Sequence, residues 1–188
     1  MELPKLASPA TLTTARLELR QWQPGDTAAF ARLCADPDVM RFFPATLTSA
    51  QAEQMANKIH GLIAQRGWGF WAVEVIGLQK FISFVGLHTP QPELLCAPCV
   101  EIGWRLDKSH WGKGYATEAA RAALQFGFDE LGLKAIVAFT PAPNKPSQAV
   151  IRKIGMHNTG NNFNHPSLPK GHWLSEHVLY ASRVTFKC

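Results

Sequence analysis

Trp111-Gly112-Lys113-Gly114-Tyr115-Ala116-Thr117-Glu118-Ala119 is a glycine turn that runs directly into an amphipathic pattern. Ala116, Ala120, Ala123, Leu124, Phe128 and Leu131 share one face of the implied helix, and Glu118, Arg121, Gln125 and Asp129 share the other. Gly132 marks its end. Such a turn leaves backbone N–H groups unpaired and pointing one way, and the helix behind it adds the positive end of its dipole. Together they predict a site for a phosphate or pyrophosphate. A Walker loop is excluded because no G-x-x-x-x-G-K-S/T occurs. A dinucleotide fingerprint fits poorly, since the glycine spacing is short and no acidic residue closes a following strand. The plain alternative is a tight turn whose glycines serve backbone geometry alone.

Upstream of the turn, Val100 to Leu106 reads as a strand interrupted by Gly103, which suggests a bulge or a close backbone approach. Downstream, Ala135 to Phe139 is a short apolar strand. Asn144-Lys145-Pro146-Ser147 then leads into a helix from Ser147 to Ile154, closed by Gly155. Two strands that each feed a helix at one sheet edge bring both helix N-termini close together, so a ligand can lie between them. Nearer the N-terminus, Arg16 to Arg20 alternates as a strand, and Asp26 is the expected N-cap of a helix ending before Pro37. Asp36 to Pro44 is a loop or short helical turn. Thr48 or Ser49 starts a second helix to about Gln65, with Glu53 as the expected capping-box partner. Phe70 to Ile76 and Lys80 to His88 predict a hairpin across Gly77, and final strands are expected within 157–163 and 173–186. The order is mixed α/β rather than a regular βαβ array.

With 188 residues and 46% apolar composition, the chain is long and apolar enough for one real core, and a single domain over 1–188 is expected. Nineteen basic and 14 acidic side chains give a net charge of +5, compatible with nucleic acid, an anionic membrane or a multiply charged anionic cofactor. No apolar run reaches the ~18 residues of a membrane span, and Met1 to Ala10 lacks the pattern of a signal peptide, so a cytoplasmic protein is expected. Cys34, Cys96, Cys99 and Cys188 are then expected to be free thiols.

At this point the chain resembles the GNAT N-acetyltransferase superfamily, in its ribosomal-protein-alanine acetyltransferase-like branch. The family's pyrophosphate motif, Q/R-x-x-G-x-G/A, reads Trp111-x-x-Gly114-x-Ala116 here, with tryptophan for the Q/R. The branch's N-x-x-S…K-x-G-F segment is matched by Asn144, Ser147, Lys153 and Gly155, with Met156 for the aromatic. Arg16-Leu17-x-Leu19-Arg20, Asp36-x-x-Val39-Met40-Arg41 and Phe70-Trp71-x-Val73 fit as well, so the resemblance covers about residues 14–183. It implies an α/β fold of α+β type, with a mixed, mostly antiparallel sheet flanked by about four helices. That sheet splays between its fourth and fifth strands, and acetyl-CoA lies in the gap. On that mapping the fourth strand is Val100 to Leu106. The pantetheine arm would pair with main-chain groups near Trp104 and Leu106. The pyrophosphate would take amides of Gly112, Lys113, Gly114, Tyr115, Ala116 and Thr117, with Trp111 opening the motif. Lys113 and Lys153 are candidates for a basic face toward the cofactor, and Asn144 for orienting it; solvated lysines and a turn asparagine are the plain alternatives.

Acetyl transfer to an amine requires loss of the ammonium proton, a donor to the developing oxyanion, and protonation of the departing thiolate. Glu101 is the candidate base, directly or through water, in an acidic position that the branch shares. The alternative is a carboxylate paired with a neighbour such as Arg105. Ser147 is the candidate at the thiolate, or an N-cap of its helix, or both. Many family members carry a tyrosine four positions on, where this chain has Ile151. The oxyanion donor would be a backbone N–H of the fourth strand. Trp22, Met40, Phe42, Phe43, Trp68, Phe70 and Trp173 are candidates for an acceptor pocket, with two or three expected to face it.

Cys96-Ala97-Pro98-Cys99 invites a redox reading, but it precedes a strand rather than opening a helix, and one pair falls short of a zinc site. His110, His165, His172 and His177 show no metal-ligand spacing, and no metal is expected. No helix carries a basic stripe, which disfavours nucleic acid. The sequence therefore points to direct transfer from acetyl-CoA to a peptide N-terminus or small-molecule amine, by a monomer or homodimer without a membrane partner. A thiol-disulfide oxidoreductase using Cys96 and Cys99, and a non-catalytic CoA- or nucleic-acid-binding module, stand as alternatives.

Overall fold

The computed structural model describes residues 3–94 and 97–182. Cys96, Cys188 and the last residues of the final expected strand, 183–186, lie outside the described residues. Nine strands form one sheet: β1 (Leu12–Thr13), β2 (Leu17–Arg20), β3 (Phe70–Val75), β4 (Gln79–His88), β5 (Glu101–Leu106), β6 (Val137–Pro141), β7 (His157–Asn158), β8 (Phe163–Asn164) and β9 (Glu176–Ala181). Five helices accompany them: α1 (Asp26–Ala35), α2 (Pro37–Met40), α3 (Ser49–Arg66), α4 (Tyr115–Asp129) and α5 (Lys145–Lys153). The short β1 shifts the count by one, so the strands expected to splay as fourth and fifth are β5 and β6.

Spatial order runs β1-β2-β3-β4-β5-β6-β9-β7, with β8 also on β9. Every pairing is antiparallel except β5 with β6. β5 is laddered to β4 along its whole length, yet it meets β6 at one registered pair, Glu101↔Val137. Beyond that pair the sheet is open. The mostly antiparallel sheet with a splay is the architecture the resemblance implies.

The two faces are covered separately. Trp71 packs edge-on against Phe126 of α4 at 5.2 Å, and the absent side chain of Gly127 lets α4 approach Ile136 and Leu87. On the opposite face Phe30 of α1 meets Phe84 at 5.8 Å, and Phe84 meets Phe70 at 4.9 Å. Gly103 lies on this second face, in an unbroken ladder. A Cβ there would come within 3.2 Å of the Phe70 ring, so Gly103 serves a close approach and not a bulge.

Two capping expectations are corrected. Asp26 is the first residue of α1 and Gly25 its cap. The Asp26 carboxylate is drawn instead to the buried Arg20 guanidinium, at 2.7 and 3.1 Å, and accepts the Gln23 N–H. A buried cation claims a carboxylate more strongly than an exposed helix end does. For α3 the cap is Thr48 and its reciprocal partner is Gln51, three residues on, rather than Glu53.

Truncating Asp26 removes the more deeply buried of the two Arg20 counter-ions and leaves Glu74 alone to answer the charge. Asp26→Ala is expected to cost about 3–5 kcal/mol, read as a lower urea midpoint. His88 supplies a pH test. Burial, then the Arg66 and Lys58 charges, push its pKa down to about 4. The unfolded chain therefore binds a proton at His88 that the native chain refuses, between about pH 6.5 and 4. Native stability falls as pH drops through that window, and in His88→Gln the urea midpoint should fall less steeply across it.

Candidate functional site

The site is built at the mouth of the β5–β6 gap. Peptide groups alternate in direction along a strand. The Val137 N–H donates to the Val100 carbonyl across the gap, and the Asp107 N–H donates to Ile82 on the other side. By that alternation Ile102, Trp104 and Leu106 turn their main-chain groups toward β6, and beyond the Glu101↔Val137 pair those of Trp104 and Leu106 reach the opening. Trp111 folds back so that its indole N–H donates to the Leu106 carbonyl at 2.9 Å, closing the 3₁₀ turn Lys108–His110 against the strand.

Gly112 and Gly114 both adopt the left-handed conformation, at φ 73° and 82°. Gly114 is the N-cap of α4 and no side chain caps that helix. Its first-turn N–H groups are thus left to solvent or a ligand. A Cβ at Gly112 would meet nothing within 4 Å, so the space before the turn is open. These are the features a pyrophosphate requires.

Arg16 completes this corner, a role the sequence reading did not assign to it. Its guanidinium donates to the Lys113 carbonyl at 3.0 Å and to Glu118 at 2.7 Å, and lies 4.6 Å from the centre of the Tyr115 ring. Glu118 also accepts from the Thr14 hydroxyl and the Arg16 N–H. Burial pushes the Glu118 carboxyl up, but these hydrogen bonds and the Arg16 charge outweigh it and hold it below the usual range. The β2 leader thereby fixes the turn's outer carbonyl while leaving the amides free. The Arg16-Leu17-x-Leu19-Arg20 pattern was the available signal, but the long-range partner was not legible in it.

α5 begins across the gap. Asn144 is its N-cap, accepting the Ser147 N–H, so Ser147 is the third residue of the helix and not its cap. The Asn144 amide donates to Thr140 at 2.9 Å and to the Ser147 hydroxyl oxygen at 3.1 Å. That leaves the Ser147 O–H able to donate elsewhere. Ile151 is 1% exposed and belongs to the core. Lys153 lies in the last turn of α5, where its carbonyl accepts from Arg121 at 2.7 Å. It is not brought to the α5 N-terminus with Asn144 and Ser147. Lys113 and Thr117 stay with the glycine turn, Lys113 exposed and Thr117 half-buried.

Glu101 starts β5 opposite His88, on the face away from α4. Its Oε1 leans along the strand to within 3.8 Å of where a Gly103 Cβ would sit, beside the Phe70 ring. That ring stacks on His88 at 5.2 Å. Across the gap on the same face stands a cluster of Phe139, Phe163, His165 and His177, whose two imidazoles are 4.9 Å apart. Burial lowers the pKa of both histidines. Of the proposed acceptor-lining side chains, Trp22, Met40 and Trp68 are core. Phe42 and Trp173 reach each other at 6.3 Å, joining the segment after α2 to the segment before β9, and Phe43 follows Phe42 in the chain.

Cys99 is buried just before β5, not at a helix N-terminus where a dipole would activate it. Among the described residues no group of three or more metal-ligating side chains occurs, and no helix is long and apolar enough to cross a membrane.

Comparison with known proteins agrees with this geometry. A family profile described as "Acetyltransferase (GNAT) domain" matches residues 16–157. The uncharacterized N-acetyltransferase YnaD of Bacillus subtilis is 34% identical over 173 residues, covering 90% of this chain and 95% of that protein. A GNAT-family acetyltransferase structure from Bacillus anthracis superposes with a TM-score of 0.76 at 29% identity, over 92% of this chain and 97% of the other. RimL, a ribosomal L7/L12 alpha-N-protein acetyltransferase solved with coenzyme A, shares the fold at a TM-score of 0.72 and 16% identity, over 92% and 97% of the two chains. With an uncapped helix end beside a splayed sheet, and a family match across most of its length, this chain belongs to the GNAT family of acetyltransferases.

Proposed function

We propose that the protein transfers the acetyl group of acetyl-CoA directly to a primary amine, with both substrates bound together. The amine is a peptide N-terminus or a small molecule. The observation that carries this is the α4 N-terminus, opened by left-handed Gly114 with no side-chain cap, next to a strand whose main chain is turned into a gap. Those residues suit a nucleotide thioester, whose pyrophosphate wants convergent N–H groups and whose amide-bearing arm wants a strand edge.

In this reading Gly112 to Thr117 bind the pyrophosphate, Lys113 and Arg16 supply positive charge near it, and Trp104 and Leu106 pair with the arm. Asn144 holds its end of the arm. Bound acetyl-CoA supplies an activated acetyl group, so the protein's own work is proton management. Glu101, facing Phe70 and His88, takes the ammonium proton of the acceptor directly or through a water. Ser147 directs its hydroxyl toward the departing sulfur. Lys153, at the far end of α5, has at most a long-range electrostatic part. No acyl-enzyme step is involved, since buried Cys99 lies before a strand without the dipole that would make its thiol a nucleophile.

Gly114→Glu should abolish acetyl-CoA binding in calorimetry at a stability cost of only about 1–2 kcal/mol, the penalty for a side chain in the left-handed region. Arg16→Met should raise the Kd for acetyl-CoA about tenfold, a loss near 1.4 kcal/mol, with kcat at saturation little changed. Unchanged affinity in both variants refutes the assignment of the corner. Glu101→Gln should lower kcat about 100-fold near neutral pH and remove the acid limb of the pH–rate profile. The deficit should shrink as the pH approaches the amine's own pKa, where free amine needs no base. A profile parallel to wild type removes Glu101 as the base. Free-thiol release across an amine and peptide panel tests the activity itself.

A further inference from the structure

Arg105 lies two residues beyond Gly103 on β5, so its side chain leaves the same face as that of Glu101. It is 7% exposed, yet no carboxylate among the described residues is within ion-pair distance of it. Among the described residues its side chain makes one polar contact, Nη1 to the Cys34 sulfur at 3.0 Å, and its Nε is buried without a partner. The guanidinium otherwise rests on aromatic rings, 4.2 Å from the centre of Phe43, 5.4 Å from Phe84 and 5.9 Å from Phe30. A thiol and ring faces compensate a buried cation far less than a carboxylate does.

The cover over this cation is thin on one side. Phe43, the nearest ring, is 37% exposed and belongs to the irregular segment between α2 and α3. In that segment Phe42 meets Trp173, itself largely exposed. From Glu101 the face runs past Gly103, over which the Phe70 ring lies, and beside Phe84 to Arg105. The result is one apolar strand face with Glu101 at one end and a buried cation without a carboxylate partner at the other. The two ends are four residue steps apart on the strand, about 13 Å between Cα atoms.

We propose that Arg105 is a specificity-determining residue, which receives a carboxylate of the acceptor when Phe43 turns aside, so that the preferred substrates are anionic primary amines. This deepens the acetyltransferase reading and rests on it. The acceptor places its amine at Glu101 and its carboxylate, under the displaced Phe43 ring, roughly 8–13 Å away, allowing for side-chain reach. That spacing excludes simple α-amino acids acting through their own carboxylate. It fits an ω-aminocarboxylate or a short peptide with an acidic side chain at its third position.

The test uses acceptors in acid and amide pairs: aminooctanoate and its primary amide, and the peptide amides Ala-Ala-Glu and Ala-Ala-Gln. Wild type should prefer the acid by about 10–100-fold in kcat/KM, the worth of a charge-assisted hydrogen bond in a dry site. Preference in one pair alone identifies the source as small molecule or peptide. Arg105→Met should erase the preference while keeping amide acetylation within about threefold, and Arg105→Lys should restore part of it. Aminooctanoate alone should raise the Tm of wild type and not of Arg105→Met. Should Arg105→Met not fold, Phe43→Ala decides: removing the cover should change acid and amide rates unequally, and equal changes overturn the proposal. It is also overturned if wild type treats acid and amide alike, or if folded Arg105→Met keeps the preference. Wild type that binds acetyl-CoA but acetylates neither member of either pair defeats this inference and leaves the acetyltransferase reading standing. Failure to bind acetyl-CoA defeats that reading, and this inference with it.

Discussion

The rest of the site depends on one broken ladder. β5 and β6 share the pair Glu101↔Val137 and then part, so the main-chain groups of Trp104 and the Leu106 N–H face an opening where a sheet would hold a neighbour. Unpaired backbone polar groups are tolerated in a fold only where water or a ligand meets them. The α4 N-terminus makes a second unmet demand, for an acceptor in place of a cap. Both demands lie in one corner because β5 leads within nine residues from Leu106 to Tyr115 through a turn with two left-handed glycines. A ligand that satisfies both must be long, with hydrogen-bonding groups along one part and negative charge at one end.

Closeness of packing makes that corner rigid. α4 lies on the sheet through Ala119, Ala120 and Ala123 and through Gly127, whose missing side chain admits Ile136 and Leu87. A helix seated on small side chains has little freedom to tilt. The end of α4 is fixed from outside by Arg16 and Thr14 through Glu118 and the Lys113 carbonyl. The scaffold thus holds the amides of the turn with groups that do not themselves use those amides. Such preorganisation spares the ordering cost that a floppy loop would bear on binding.

Elements whose cause is local were legible in the sequence. The glycine turn, the α4 period and the hairpin across Gly77 each follow from a few adjacent residues. What was not legible came from across the fold. Asp26 has the local signature of a cap, yet Arg20 takes its carboxylate. Ser147 resembles a cap, yet Asn144, anchored to Thr140, is the cap. Lys153 matched a motif position, but a helix of nine residues carries it, with Gly155, away from the N-terminal end that Asn144 and Ser147 occupy. Among the aromatics, Trp68 and Trp22 differ from Phe42 and Trp173 only in what the distant chain lays over them, which hydrophobicity alone does not encode.

Two buried arginines show how the same cost is met in opposite ways. Arg20 has Asp26 and Glu74 as counter-ions and the Gln21 and Lys80 carbonyls as further acceptors, so its charge is answered inside the protein. Nothing about that network asks for a ligand, and its plain consequence is to bind β2, α1, β3 and β4 together. Arg105 is as deeply buried but is met by a thiol and three rings. Burial pushes its pKa down and Cys34 only partly offsets this. Were its role packing alone, an apolar side chain of similar length would fill the space without the desolvation cost of a charge. Its position on the strand that carries Glu101, under a wall segment that is itself exposed, gives that cost a compensating partner in the acceptor rather than in the fold.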